Sequence, residues 1–100
     1  MLLLGIITGC TAPQQFRVPS AVIENRTGRN LPTVLYRSCA MESAEWLPLF
    51  EQGNEIAPHR QVEFKLPLDC LDLKALFADG RIAGTQQNIQ RRFPFRWVLE

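Results

Sequence analysis

Few side chains in this 100-residue chain could carry out chemistry. The only histidine, His59, stands in a proline-containing segment, and no Gly-x-Ser-x-Gly turn supplies a nucleophile for it to activate. Asp69 and Asp72 are close enough in sequence for acid–base work, but carboxylates at this spacing more often cap turns. There is no glycine-rich phosphate loop. We therefore expect no catalytic residues and no enzyme.

The first ten residues carry the most specific signal. The apolar run Leu2–Ile7 is followed by two small residues and then by Cys10. The run is far shorter than the roughly 20 residues of a membrane-spanning helix, and it matches the apolar part of a signal peptide. The sequence Ile7-Thr8-Gly9-Cys10 resembles the lipobox of bacterial lipoproteins, in which an aliphatic residue stands three before the cysteine.

The lipobox resemblance implies both a modification and a location. Residues 1–9 would be the signal peptide, and Cys10 would carry diacylglycerol and a further acyl chain such as palmitate. Each buried methylene contributes about 0.8 kcal/mol, so several chains make a lasting membrane anchor. Thr11, rather than aspartate, follows the cysteine, which implies an outer-membrane location with the domain facing the periplasm. The alternative is a buried N-terminal strand, Leu2–Ile7, with Cys10 as an ordinary thiol.

Lipidation of Cys10 would leave Cys39 and Cys70 as a pair. In an exported domain such a pair is typical of a disulfide, here closing a loop of about 30 residues and contributing roughly 3–4 kcal/mol. The alternative is two free thiols, one of them reactive. Oxidised cysteines and a single histidine would not complete a metal site, so we expect no metal and no cofactor.

Composition and charge indicate an ordinary small globular domain. The chain is 46% hydrophobic and 21% charged, with a net charge of +1, so no strong field attracts nucleic acid. Arginine makes up most of the cations, which favours contacts with anionic groups. Residues 10–17, the lipidated cysteine and a polar tether, would keep the fold within about 25 Å of the membrane. Residues 18–100 are enough for a single domain.

We expect this domain to be all-β, a small antiparallel β-sandwich or barrel. Cys70–Ala78 alternates as a strand and leads through Asp79-Gly80 into Arg81–Thr85, a hairpin signal, although Asp69 and Gly80 would also suit the ends of a helix. A short helical turn is expected near residues 41–47. The other predicted strands, separated by turn residues such as those at 25–30, are Val18–Glu24, Leu31–Cys39 and Gln61–Leu66.

The C-terminal segment Arg92–Leu99 also alternates, which predicts a core-facing stripe of Phe93, Phe95, Trp97 and Leu99. Pro94 cannot donate to a ladder, so this strand is expected at a sheet edge. An edge strand could pair with a partner strand, while its arginines contact phosphate or carboxylate groups. The candidate binding surface is therefore Arg91, Arg92 and Arg96, with Trp46 as a separate anchor. The alternatives are a solvated arginine face and a Trp46 loop folded back onto the core.

Beyond the lipobox, the chain carries the segments Ile23–Gly28, Val34–Tyr36, Trp46, Pro58, Val62–Leu66, Cys70–Leu73 and Asp79-Gly80. In this pattern it resembles small periplasmic lipoproteins with a sandwich fold and no assigned activity. We therefore expect a non-enzymatic outer-membrane lipoprotein with a binding or assembly role in the envelope, such as a component of secretion or conjugation machinery. The alternative is an inhibitor or accessory subunit of an envelope enzyme, inserting Ala40–Glu55 into its partner.

Overall fold

The computed structural model describes residues 20–39, 41, 43–50 and 55–100. These residues form β-strands, turns and loops, and no helix occurs among them. The all-β prediction is therefore confirmed. The strands are β1 (Ala21–Asn25), β2 (Thr33–Ser38), β3 (Leu47–Pro48), β4 (Gln61–Phe64), β5 (Cys70–Leu76), β6 (Ile82–Gln90) and β7 (Phe95–Leu99).

The strands form two sheets with apolar side chains between them. One sheet has three strands in the order β4-β1-β7, and the other has four in the order β3-β2-β5-β6. The pairings are antiparallel except that of β1 with β7, which is parallel. Residues of both sheets share one buried cluster, as in a β-sandwich.

Alternation along β5 shows how the sequence builds this core. Leu71, Leu73 and Ala75 are fully buried, whereas Asp72 and Lys74 project from the opposite side of the strand. The same period of two buries Ala21 and Ile23 in β1. The strand interpretation of this segment is confirmed, and the helix alternative is not.

The two sheets approach closely where β6 crosses β7. A Cβ atom at Gly84 would lie 2.7 Å from Leu99 Cδ2 and 3.0 Å from Trp97 Cζ2. A side chain at this position would therefore displace two core residues, and glycine allows the contact.

The turn after β1 is organised by a buried asparagine. The side chain of Asn25 is fully buried, and its Nδ2 donates to Arg29 O at 2.7 Å and to Ile56 O at 2.9 Å. Its Oδ1 accepts hydrogen bonds from the backbone N and the Oγ1 of Thr27, at 3.0 and 2.7 Å. Gly28 takes the positive φ of 78° that the turn requires. The predicted turn at 25–30 is confirmed.

The predicted hairpin between β5 and β6 is also confirmed. Phe77 N donates to Arg81 O at 2.9 Å, and Gly80, with φ of 89°, donates to Phe77 O at 2.9 Å. The second strand is longer than expected, because it continues to Gln90 rather than ending at Thr85.

A short helical turn is expected near residues 41–47, but the described residues of this segment do not form a helix. Ala44 N donates to Met41 O at 2.8 Å, which closes a single turn. The chain then extends into β3, which pairs with Leu35 and Tyr36 of β2. Pro48 explains the difference, because proline interrupts helix propagation but is tolerated in an edge strand.

The last strand begins three residues later than predicted. Phe93 is 55% exposed and lies in the connection between β6 and β7, where its N donates to Gln90 O at 3.1 Å. The predicted core position of Phe93 is wrong, because the turn breaks the alternation before Pro94. Trp97 and Leu99 are buried as expected, and β7 lies at the edge of its sheet.

Candidate binding surface

The predicted disulfide is present and joins the two central strands of the four-stranded sheet. Cys39 follows β2 and Cys70 begins β5, and their Cα atoms are 5.6 Å apart. Cys39 N also donates to Cys70 O, at 3.4 Å. Cys10, the signal peptide and the tether lie outside the described residues.

Trp46 lies against two cations on the outer face of the four-stranded sheet. The Arg37 guanidinium carbon is 4.5 Å from the ring centroid, and Lys74 Nζ is 4.3 Å from it. Contacts of this kind contribute about 0.5–1 kcal/mol each at exposed sites. The Trp46 loop therefore folds back on the sheet, but on its outer face and not on the core. We refer to Arg37, Trp46, Asp72 and Lys74 as the Trp46 cluster.

Strand register places the members of this cluster together. Arg37 of β2 is opposite Asp72 of β5, and Leu35 is opposite Lys74. These positions alternate with the buried Val34 and Leu73, so their side chains project outward. β3, which follows Trp46 directly, pairs with the other edge of β2.

Asp72 is the buried polar centre of the cluster. It is 7% exposed, its Oδ2 accepts from Arg37 Nε at 3.3 Å, and its Oδ1 accepts from Asn88 N at 3.1 Å. Asn88 has φ of 58° and lies where the β5–β6 register shifts between Leu71 and Leu73, so the bulge aims its N–H at the carboxylate. A cavity of about 120 Å³ adjoins these residues and Cys39. This volume could hold a small polar group but is below that of usual ligand pockets.

Aliphatic side chains extend this outer face beyond the Trp46 cluster. Leu76 of β5 is opposite Ile82 of β6, which is 58% exposed. Leu35 lies on the same face in β2. Leu47, exposed in β3 at one edge of the sheet, is opposite Tyr36 and therefore has the parity of the core-facing residues. The surface thus combines an aromatic ring, cations and aliphatic groups, a mixture common in protein interfaces.

The structure does not gather the predicted arginines beside Trp46. Arg91 and Arg92 lie in the connection between β6 and β7, where Arg91 Nη2 is 2.5 Å from Asp69 Oδ1 and the Arg92 guanidinium lies 4.9 Å from the Phe93 ring centroid. Arg96 projects from β7 on the other sheet and pairs with Glu24. Trp46 and Arg96 are therefore on different sheets.

The outer face of the three-stranded sheet is a network of paired charges around Glu24. Arg26 Nε lies 2.6 Å from Glu24 Oε2, and Arg96 also contacts Gln61 at 3.4 Å. The hydrogen bond from Arg26 holds the pKa of Glu24 below its ordinary value; partial desolvation opposes this effect and Arg96 reinforces it. These charges are therefore satisfied within the chain.

The described residues contain no group of three or more histidine, cysteine, aspartate or glutamate side chains placed to hold a metal ion. His59 is exposed in a turn with φ of 64°, and its backbone N donates to Asn25 O at 2.7 Å. No helix long and apolar enough to cross a membrane occurs in the part of the chain that is described.

Comparison with protein-family models, with curated proteins and with solved structures finds no match. The surface must therefore be interpreted from its own geometry. The sequence indicates Trp46 as an anchor but not its partners Arg37, Lys74 and Asp72. Alternation along β2 and β5 could have predicted that these three side chains face outward. Their proximity to Trp46 could not be predicted in this way, because it depends on the pairing of β2 with β5 and β3.

Proposed function

We propose that the protein is a non-enzymatic, lipid-anchored module of the outer membrane that binds an envelope partner through the outer face of its four-stranded sheet. The observation that carries the proposal is the partly exposed Trp46 ring held between Arg37 and Lys74. Tryptophan and arginine are enriched among the residues that dominate binding energy at interfaces.

The charges on this face favour a partner with acidic groups. None of the ion pairs among the described residues involves Lys74, so its ammonium group retains donors for a partner carboxylate or phosphate. The exposed Ile82 on the same face would bury apolar surface at this interface.

The lipobox-like sequence Ile7-Thr8-Gly9-Cys10 supports the anchoring part of the proposal. With lipid on Cys10, the tether of residues 11–17 would hold the sandwich within about 25 Å of the bilayer. The bound partner would then be a protein at or near the inner surface of the outer membrane.

Fractionation of cells tests the anchor. We expect the wild-type chain in the outer-membrane fraction and Cys10→Ser in the soluble periplasmic fraction. Partition of Cys10→Ser into the outer membrane would refute lipid anchoring through this cysteine.

Site-specific photocrosslinking in cells tests the binding face. A photoreactive residue at Ile82 on the four-stranded sheet should give a defined adduct with an envelope protein. The matched control is Glu63, which is exposed on the outer face of the three-stranded sheet, and it should give none. The Ile82 adduct should disappear in Cys10→Ser, and equal adducts from both positions would contradict the assignment.

The same experiment distinguishes the second candidate function, an inhibitor or accessory subunit of an envelope enzyme. Met41 and Leu47 are exposed large apolar residues in the described part of the segment expected to enter a partner. Adducts between a hydrolase and these two positions, without an adduct at Ile82, would favour this alternative, particularly if purified protein also lowers the activity of that hydrolase.

A further inference from the structure

A second concave site lies between the end of β6 and the start of β7. It has a volume of about 270 Å³ and is lined by residues 86–90 and 93–95. That volume is close to the lower end of the usual range for small-ligand sites. We call it the β6–β7 groove.

The lining of this groove is uncharged and rich in carboxamides. Gln86, Gln87, Asn88 and Gln90 each carry a side chain that both donates and accepts hydrogen bonds, and all four are exposed. Phe93 and Phe95 supply aromatic surface, together with Pro94 and Ile89. No ionisable residue lines the groove, and the Arg92 guanidinium contacts the Phe93 ring from outside it. The lining itself therefore offers hydrogen bonds and aromatic surface but no charge.

The groove is held open by contacts outside it. The bulge at Asn88 is fixed by the hydrogen bond from its N to Asp72, and Arg91 N donates to Asp69 O at 2.9 Å on the far side of Gln90. Arg92 contacts the Phe93 ring while leaving that residue 55% exposed. A site formed in advance loses less conformational entropy when a ligand binds.

Two observations argue against an added peptide strand as the occupant. The β5–β6 register shifts twice, between Leu71 and Leu73 and between Ala75 and Leu76. Bulges of this kind twist an edge strand and interrupt the regular ladder that an added strand would need. Recognition in the groove must therefore come from side chains.

We propose that the β6–β7 groove binds a neutral carbohydrate. A sugar ring has one face of C–H groups that can stack on an aromatic ring, and its hydroxyl groups match carboxamides that donate and accept. In this arrangement the ring stacks on Phe93, and Gln86, Gln87 and Gln90 bind its hydroxyls. The groove shares Gln87 and Asn88 with the cavity beside the Trp46 cluster, but it contains none of the four residues of that cluster and does not depend on the function proposed for them.

Nuclear magnetic resonance titration tests this proposal. The probes are chitotetraose and maltotetraose, both uncharged, added to the ¹⁵N-labelled full chain in a zwitterionic detergent without a sugar headgroup. We expect saturable shifts in the glutamine side-chain amide signals with at least one probe. Phe93→Ala should weaken binding about tenfold or more, and Gln90→Ala several-fold. Leu47→Ala, an exposed residue outside the groove, should bind as the wild type does.

Three results would overturn the proposal. One is the lack of a saturable shift with both sugars at millimolar concentrations. Another is an unchanged affinity in both Phe93→Ala and Gln90→Ala, whose thermal transitions would confirm that they fold. The third is a response of β6 backbone amides to an extended acidic peptide but not to either sugar, which would assign the edge to strand addition.

Discussion

The two outer faces of the sandwich differ in how their polar groups are satisfied. On the three-stranded sheet, Glu24 is engaged by Arg26 and Arg96, so the charges of this face neutralise one another within the chain. On the four-stranded sheet, Arg37 pairs with Asp72, whereas Lys74 joins none of the ion pairs among the described residues. Both cations flank a partly exposed tryptophan, and Ile82 is largely exposed on the same face.

This difference indicates which face has more to gain from a partner. A partner that binds the Glu24 network must compete with existing ion pairs, and exposed pairs contribute little net energy. Burial of apolar surface at Trp46 and Ile82 contributes about 25 cal/mol per Å². The four-stranded face is therefore the better candidate for binding.

The largest effect on stability is expected from removal of the disulfide, which lies in the four-stranded sheet. The double variant Cys39→Ser with Cys70→Ser should lower the free energy of unfolding by about 3–4 kcal/mol, because the open chain regains loop entropy. Urea denaturation measures this loss, and reductant should reproduce it in the wild type. Amide exchange should quicken more in β2 and β5 than in β1, and equal acceleration in both sheets would remove this part of the contrast.

The second effect concerns the buried carboxylate of the Trp46 cluster. Asp72→Ala removes the carboxylate that accepts hydrogen bonds from Arg37 Nε and Asn88 N, so we expect a loss of about 2–3 kcal/mol in urea denaturation. Asp69→Ala is the matched control, since the Asp69 side chain is 90% exposed, and its stability should change by less than about 0.5 kcal/mol. Similar losses in both variants would show that Asp72 is not a structural centre.

Local patterns in the sequence predict much of this fold. Alternation identifies β5 and the buried end of β7, and Asp79-Gly80 predicts the turn into β6, because these features depend on neighbouring residues. β3 is not predicted, because Leu47 and Pro48 are too few to show a period. The alternating pattern wrongly places Phe93 in the core, because Phe93 lies in a turn and the strand begins only at Phe95.

The candidate site is less predictable than the fold because its members are distant in sequence. Trp46 stands nine residues after Arg37 and 28 before Lys74, and strand pairing brings them together. The arginines at 91, 92 and 96 resemble a single patch in the sequence. The structure separates them because the first two lie in the β6–β7 connection and each has its own contact.

A smaller effect is expected from the cation–aromatic contacts. Trp46→Ala should lower stability by about 1–2 kcal/mol, the sum of two such contacts. A double-mutant cycle with Lys74→Met, which keeps most of the aliphatic stem, should give a coupling energy of about 0.5–1 kcal/mol between the two positions. Zero coupling would mean that Lys74 only lies near the ring, and its ammonium group would then be fully available to a partner.

The smallest effect is the acid dependence that the Glu24 network gives to the three-stranded face. The pKa of Glu24 is lower in the folded protein than in the unfolded chain, chiefly through its hydrogen bond with Arg26. The stabilisation by Glu24 is therefore complete above the pKa of the unfolded chain, near pH 4.3 to 4.5 for a glutamate, and is lost as pH falls through the folded pKa.

Denaturation measured from pH 7 to pH 2 tests this dependence. The free energy of unfolding should fall less steeply with acid in Glu24→Gln than in the wild type, and added salt should narrow the difference because the network is near the surface. Trp46→Ala should lower stability at every pH while keeping the wild-type slope. An altered slope in Trp46→Ala, or an unaltered one in Glu24→Gln, would break the assignment of this acid dependence to the Glu24 network and of the aromatic contacts to the Trp46 cluster.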